Sequence, residues 1–401
     1  MNKKVIALAV AGALTVPLAA KAQTANVTMY GTFRVAMEST DLKDVGRNNH
    51  IDNWSSRWGI RGIESVGGGL NGIFQLELGI GLDNPGGATL DGSTLRTQPI
   101  VIREGWVGLN GGFGTVKMGN GLTPWDDVMG YGHLLLANGF ESMITLGGGV
   151  NPAISRSGNF TSFSSNTSIA GFGNANNNIG GPNSTNFDAR YNNSIRYDSP
   201  NLSGLTIATH FAFIGENSTG TKAKGWDTKV DYNNGPITAA IAYSRHIDFA
   251  QYDGNAWVAH AAYDFGVVKL ESQYQRMKYD GNNGSVGSAR ARYWQAGVTV
   301  PVGPGWLTAQ YHNRNKGVTT SATAVTEVMN GGGKAYSASY MYGFSKRTFV
   351  YGFGARVKAD ECAAIESAVP TYSAAAGTCA VRPAGSAATA TAFGFGVRHN
   401  F

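Results

Sequence analysis

The final eleven residues, Thr391–Phe401, alternate in character with a period of two. Phe393, Phe395, Val397 and Phe401 fall on one parity; Gly394, Gly396, Arg398 and Asn400 fall on the other. Successive side chains of a strand point to opposite faces, so this segment is apolar on one face and small or polar on the other. A sheet with hydrocarbon on one side and water on the other demands that pattern. A soluble β-sandwich or propeller also alternates, but it gives no reason for rings along an exposed face or for an aromatic last residue.

The opposite end reads as an export signal. Lys3 and Lys4 precede a short apolar stretch from Val5 to Ala20, broken by Pro17, and Ala20-Lys21-Ala22 has the A-x-A form of a cleavage site. Residues 1–22 are therefore expected to be removed, leaving 23–401. That removal takes away three lysines and lowers the formal charge from +6 to +3, too little to argue for nucleic acid. Beyond residue 22 no apolar run is long enough for a transmembrane helix. Glycine, 56 of 401 residues, is about twice as frequent as usual, which fits many short strands joined by Gly/Asn turns. Mean hydropathy is only −0.16, as expected where every second residue meets lipid. The two cysteines, Cys362 and Cys379, suit a disulfide closing one loop in an oxidising compartment. No His or Cys neighbours have zinc-ligand spacing, and neither a metal nor a cofactor is expected.

From Asn26 the chain reads as repeated hairpins. Trp54, Trp58 and Ile60 share a face opposite Ser55, Arg57, Gly59 and Arg61, and Phe74, Leu76 and Leu78 lie opposite Gln75 and Glu77. Later strands repeat the pattern: Leu205 to Phe213, Trp226 to Tyr232, Ile237 to Tyr243, Trp257 to Tyr263, Leu307 to Tyr311, Tyr336 to Tyr342, and Phe349, Tyr351 and Phe353. Gly67-Gly-Gly69, Gly111-Gly112, Asn233–Pro236, Val302–Gly305 and Gly343–Lys346 read as tight turns. Longer polar connections are expected near 39–53, 83–98, 216–224, 248–254, 280–289, 316–332 and 359–388. The longest, about 120–190, is rich in Gly, Asn and Ser, and a connection of that length is often functional. The count is sixteen strands, with eighteen as the alternative. An even number, short turns at one end and long loops at the other define a transmembrane antiparallel β-barrel of the outer-membrane type. Aromatics gather near strand ends, as interfacial girdles do.

Several segments resemble the general porins of Gram-negative bacteria, of the kind found in Neisseria, Bordetella and Burkholderia relatives. They are Val27–Gly31, Ser56–Gly62, Gly67–Glu77, Val107–Val116, Asn193–Pro200 and Gly396–Phe401, in order along the chain. The resemblance implies an outer-membrane channel for passive diffusion of small hydrophilic solutes and ions. It also implies a homotrimer of sixteen-stranded barrels, each narrowed by a long third loop folded into the lumen. The terminal Phe401 would be the assembly signal.

The chemistry of such a pore is electrostatic. Arg57, Arg103 and Arg196 fall on lumen parity in the second, fourth and sixth strands, where the family places a basic wall; Arg61 and Arg34 share the inner parity of their strands. Guanidinium groups stay charged at any working pH, repelling cations and attracting anions. The opposing acids are expected on the inward loop, at Asp126, Asp127 and Glu141, joined by Glu77. A modest anion preference follows. Lumen parity for Arg103 sends Glu104 outward, into a subunit interface, and leaves Val107 and Leu109 inside.

Other functions fit less well. No nucleophile motif stands out, and His210, His260, His312 and His399 are each isolated on a strand, so an enzyme is not expected. A substrate-specific channel needs an aromatic track or a lysine file in the lumen. Here the aromatics mostly take the lipid parity, and the inner lysines, Lys229, Lys269 and Lys358, are dispersed. An adhesin role for the outer loops is compatible with a pore.

Overall fold

The computed structural model describes residues 26–43, 46–53, 56–82, 100–131, 187, 190–213, 223–249, 252–281, 288–315, 317–320, 327–330, 333–359 and 389–401. The export signal, Glu141, Cys362, Cys379 and most of the 120–190 connection lie outside these residues.

Nineteen strand segments form a single antiparallel sheet that closes on itself. In chain order they are β1 (Asn26–Leu42), β2 (Gly46–Asn53), β3 (Arg57–Gly67), β4 (Leu70–Ile80), β5 (Ile100–Gly111), β6 (Gly114–Leu122), β7 (Arg190–Asp198), β8 (Leu205–Ala212), β9 (Lys224–Asn234) and β10 (Ile237–Phe249). Then follow β11 (Tyr252–Asp264), β12 (Lys269–Gly281), β13 (Ser288–Val302), β14 (Gly305–Arg314), β15 (Gly317–Thr320), β16 (Glu327–Asn330), β17 (Gly333–Gly343), β18 (Thr348–Ala359) and β19 (Thr389–Asn400). β2 and β3 pair with successive halves of β1, so together they are one wall strand. β15 and β16 pair with each other as a small hairpin, and β14 pairs directly with β17. The wall itself is therefore a closed barrel of sixteen strands. Closure removes sheet edges and satisfies the backbone where no water can.

The seam is made by β1 and β19, paired from Thr32↔Asn400 to Leu42↔Ala390. At its base, the Gly31 N–H donates to the Phe401 carbonyl at 3.0 Å and the Phe401 N–H returns a bond to the Gly31 carbonyl at 3.1 Å. The Phe401 ring packs edge-on against Phe33, with centroids 5.0 Å apart. A Cβ on Gly31 would stand 2.5 Å from that ring and 2.6 Å from the Arg57 carbonyl oxygen, so only glycine fits there.

Side chains alternate between membrane and lumen as the sequence requires. Phe393, Phe395 and Val397 are exposed on the outside, whereas Ala392 on the same strand is buried. An outer ring of aromatics crosses β9 to β17: Trp226, Tyr243 and Trp257 contact in series (6.0 and 4.6 Å), as do Trp294, Tyr311 and Tyr336 (5.1 Å each). The inner wall opposite is polar, with Gln273, Gln275, Gln295, Gln310 and His312 all buried.

Three expected loops contain paired strand. Residues 39–53 are the paired ends of β1 and β2, the 248–254 connection shrinks to the link between Phe249 and Tyr252, and 316–332 contains the β15–β16 hairpin. Their sequences are polar on both faces, so no alternation announces them. The five expected tight turns are turns, with left-handed backbone at Gly68 (φ 61°), Gly235 (φ 56°) and Gly303 (φ 58°).

Candidate functional site

The lumen site begins with a defect in the ladder. β4 and β5 pair Glu77 with Glu104 but Leu78 with Ile102, so Arg103 is an extra residue without a cross-strand partner. Such a bulge shifts the face of everything beyond it. Both Arg103 and Glu104 consequently reach the lumen. The Arg103 Nε donates to Glu77 Oε1 at 2.8 Å, and Glu104 Oε2 accepts from Gln75 Nε2 and from the indole of Trp106, each at 3.2 Å. Val107 and Leu109 face the membrane instead, 61 % and 47 % exposed. The outward placement expected for Glu104, and the inward one for Val107 and Leu109, are thus reversed.

Around this bulge lies the first charge cluster. Glu77 accepts a hydrogen bond from the Tyr30 hydroxyl at 3.2 Å and lies 3.9 Å from the Arg57 Nε, so one carboxylate serves both Arg57 and Arg103. Arg61 lies over the Tyr30 ring at 5.2 Å. Arg34 is in direct register with Arg398 across the seam, and the charges of Arg57 and Arg398 act on each other. The guanidiniums of Arg57 and Arg190 likewise act on Arg103. Among the described side chains, the inward arginines Arg34, Arg57, Arg61, Arg103 and Arg398 outnumber the inward carboxylates of this sector, Glu38, Glu77 and Glu104. By that count the cluster is net positive.

The second cluster surrounds α1 (Pro124–Tyr131), the first turns of the long third connection. Thr123 caps this helix: its Oγ1 accepts from the Asp126 N–H at 3.1 Å. Asp126 and Asp127 occupy the first turn, where the helix dipole favours negative charge. α1 lies inside the barrel. Gln273 of β12 reaches its last turn and donates to the carbonyls of Val128 and Met129 at 3.0 and 3.1 Å, while Trp125, Val128 and Met129 are buried. Trp125 packs against Phe187, and Tyr131 against the His260 ring.

Asp127 fastens α1 to the wall. Its Oδ2 accepts from Arg196 Nη2 at 2.5 Å and pairs with Lys229 at 3.0 Å. Arg196 in turn bonds Asp198 at 2.7 Å and the Leu122 carbonyl at 2.8 Å, Lys117 pairs with Asp198 at 2.9 Å, and Lys229 with Asp231 at 2.7 Å. Burial pushes the Asp127 carboxyl up, but the charges of Arg196 and Lys229 outweigh it and hold the group below the usual carboxylate range.

The predicted site residues therefore sort into two groups. Arg57, Arg103, Arg61, Arg34 and Glu77 come together at the bulge, and Arg196 and Asp127 meet in a separate network. Two of the expected opposing acids, Glu77 and Asp127, ride on the arginines rather than facing them across the water. Asp126 is half-buried on α1, and Glu141 lies outside the described residues. Sequence reasoning missed Arg398, Lys117, Asp198, Asp231 and Gln273, all legible only as inward parity until the register brought them together.

β18 corrects two further expectations. Phe349, Tyr351 and Phe353 pair in register with Arg398, Gly396 and Gly394, on the inner face. Tyr351 and Phe353 are 3 % and 7 % exposed and lie over glycines: a Cβ on Gly396 would stand 2.5 Å from the Tyr351 ring, and one on Gly394 2.8 Å from Phe353. Glycines on β19 thus make room for rings that would otherwise have to face lipid. The same parity turns Lys358 outward, opposite Lys334.

His210, His312 and His399 are wall residues with partners. His210 shares a 2.8 Å hydrogen bond with Ser194, His312 bonds the Tyr293 hydroxyl, and His399 bonds Thr348 at 3.0 Å. Ser194 also donates to the carbonyls of Gly119 and Tyr191 and is buried with His210, so this Ser–His contact offers no accessible nucleophile. Among the described residues no group of His, Cys, Asp and Glu could hold a metal ion.

A closed sixteen-stranded barrel with a helix and two charge clusters inside is the frame of a channel, and comparison with known proteins agrees. The Gram-negative porin family model matches residues 7–361. The chain belongs to the Gram-negative porin family. It is 28 % identical over 364 residues to outer membrane porin protein 32 of Delftia acidovorans, covering 88 % of each chain. It is 26 % identical over 357 residues to a major outer membrane protein of Neisseria gonorrhoeae, covering 86 % of this chain and 83 % of that one. Among solved structures it is similar to the anion-selective porin from Comamonas acidovorans: TM-score 0.64, 22 % identity, 94 % of this chain and 100 % of that one. That likeness establishes the shared barrel fold. As a porin, the protein spans the outer membrane many times and passes small hydrophilic solutes by passive diffusion. The family and fold are those of channels, not of enzymes.

Proposed function

We propose that this porin is a non-enzymatic homotrimeric diffusion channel that prefers anions, with Arg57 and Arg103 setting the preference and Arg34, Arg61 and Arg398 extending it. The observation that carries this reading is the sharing of Glu77 between Arg57 and Arg103, which leaves the bulge cluster with uncompensated positive charge. A fixed positive charge in a narrow, low-dielectric opening raises local anion concentration and repels cations. Arg196 has a different part. Fastened to Asp127 and Asp198, it anchors α1 and contributes little net charge to the pore. Anion selectivity of the Comamonas porin, named as such, points the same way. Exchange of Arg57 and Arg103 for glutamine should remove most of the anion preference in planar bilayers while leaving single-channel steps intact. An unchanged preference would place the selectivity elsewhere.

The trimer is supported by the outer surface. The Trp and Tyr ring of β9 to β17 gives way on β19 and β1 to Phe393, Phe395, Val397, Met29, Phe33 and Met37, which carry no polar group. That sector has the smooth apolar character of a contact between protomers, and a trimeric form is recorded for the similar Vibrio cholerae OmpT barrel. Crosslinks through cysteines placed at Val397 and Met29 should trap trimers; their failure to do so would move the interface. Export through residues 1–22, assembly guided by Phe401 and a Cys362–Cys379 disulfide complete the reading.

A further inference from the structure

The outer face of β12, β13, β17 and β18 carries charges that the pore does not use. Arg276 and Arg292 are directly opposed on neighbouring strands, one rung beyond the Tyr274↔Trp294 pair of the aromatic ring. Lys334 and Lys358 are opposed in the same way, one rung beyond Tyr336↔Arg356. All of these basic residues are exposed, and they share parity with Tyr274, Trp294 and Tyr336, so they lie outside the barrel. Among the described residues, none of the four opposed cations has an acidic partner. Other outward basic groups on this side do: Arg245 pairs with Asp253 at 2.9 Å and Lys278 with Asp280 at 2.7 Å.

Like charges directly opposed on an antiparallel ladder repel, and charge beside lipid is costly. Two such pairs side by side need an anion. Tyr and Trp rings mark the level at which headgroups begin, and the cations sit on the long-loop side of that ring, at headgroup height. We propose that this surface docks the phosphorylated headgroup of an outer-leaflet lipid. Guanidinium forks suit phosphate oxygens, and the lysine stems reach along the wall to the same level. β14 alone separates β13 from β17, and Lys334 is in register through Asn313 with Trp294, two residues from Arg292, so the nearest members of the two pairs lie about 12 Å apart, within reach of one headgroup carrying two phosphates. The flanking rings make this sector lipid-facing rather than a protein contact.

The test uses the full porin refolded in neutral detergent, with barrel unfolding followed by its electrophoretic mobility shift on heating. The probes are bisphosphorylated lipid A, the same lipid without phosphates, and inorganic phosphate. Lipid A should raise the unfolding temperature of the wild type in a saturable way, and the other two probes should not. Arg276→Gln/Arg292→Gln and Lys334→Gln/Lys358→Gln should each lose most of that rise, while Arg245→Gln keeps it. Removing opposed charges relieves repulsion, so both double variants should fold; native mass spectrometry of the wild type, counting lipid A bound with and without phosphates, provides a readout independent of them. Their single-channel conductance should match wild type, which separates this proposal from the selectivity reading. An equal rise with dephosphorylated lipid, an equal rise with inorganic phosphate alone, or an unchanged rise in both double variants would overturn it.

Discussion

Arg103 shows how one residue can defeat parity. Counting by twos along β5 puts Arg103 inside and Glu104 outside, yet both are inside because the ladder slips there. The sequence does carry a trace of the slip: Ile100 and Ile102 take one parity and Val107 and Leu109 the other, so the apolar face must change sides between them. The inward rings of β18 left a fainter trace, since their exchange of faces depends on Gly394 and Gly396 of the next strand. Two predictions belong at this scale. Glu77→Gln removes the acid that Arg57 and Arg103 share, so anion preference should rise and stability fall by on the order of 2 kcal/mol, read by reversal potential and by urea unfolding in detergent. Gly396→Val drives a side chain into the Tyr351 ring and the Val35 carbonyl, and should cost about 1–3 kcal/mol in the same unfolding measurement.

At the scale of elements, α1 is the part of the third connection whose attachment is defined. Its cap, Thr123, and its first-turn acid, Asp127, are local, but the side chains that hold it, Arg196, Lys229 and Gln273, come from three distant strands. The sequence put Asp127 near the pore but could not say which cation it would meet, because Arg196 and Lys229 are 69 and about a hundred residues away. The pH dependence has a definite sign. The folded pKa of Asp127 is depressed, so its contribution is present above the unfolded value of about 4 and is lost as pH falls through the folded value. Single-channel current should therefore stay quiet from neutral pH down to about 4 and grow noisy below it as α1 loosens. Asp127→Asn should be noisy already at neutral pH. A variant as quiet as wild type would mean that the buried face of Trp125, Val128 and Met129 holds the helix alone.

The whole molecule was the most legible level. Alternation, tight Gly turns and a terminal aromatic gave a closed antiparallel barrel and its sixteen wall strands, because those signals repeat and errors at single positions average out. Register, which decides which charges meet, is a long-range property and left no local mark. Closure also explains the last residue. Deletion of Phe401 removes two backbone hydrogen bonds at the seam and the ring over Gly31, so refolding yield should fall well below that of the full chain, measured by the heat-shifted electrophoretic band. The central claim is that the lumen's excess of arginine over carboxylate governs permeation. The most direct test is the zero-current potential of the wild-type porin in a planar bilayer under a potassium chloride gradient. A potential of the sign set by chloride permeating faster than potassium is the predicted result; a potential of the opposite sign would contradict the account.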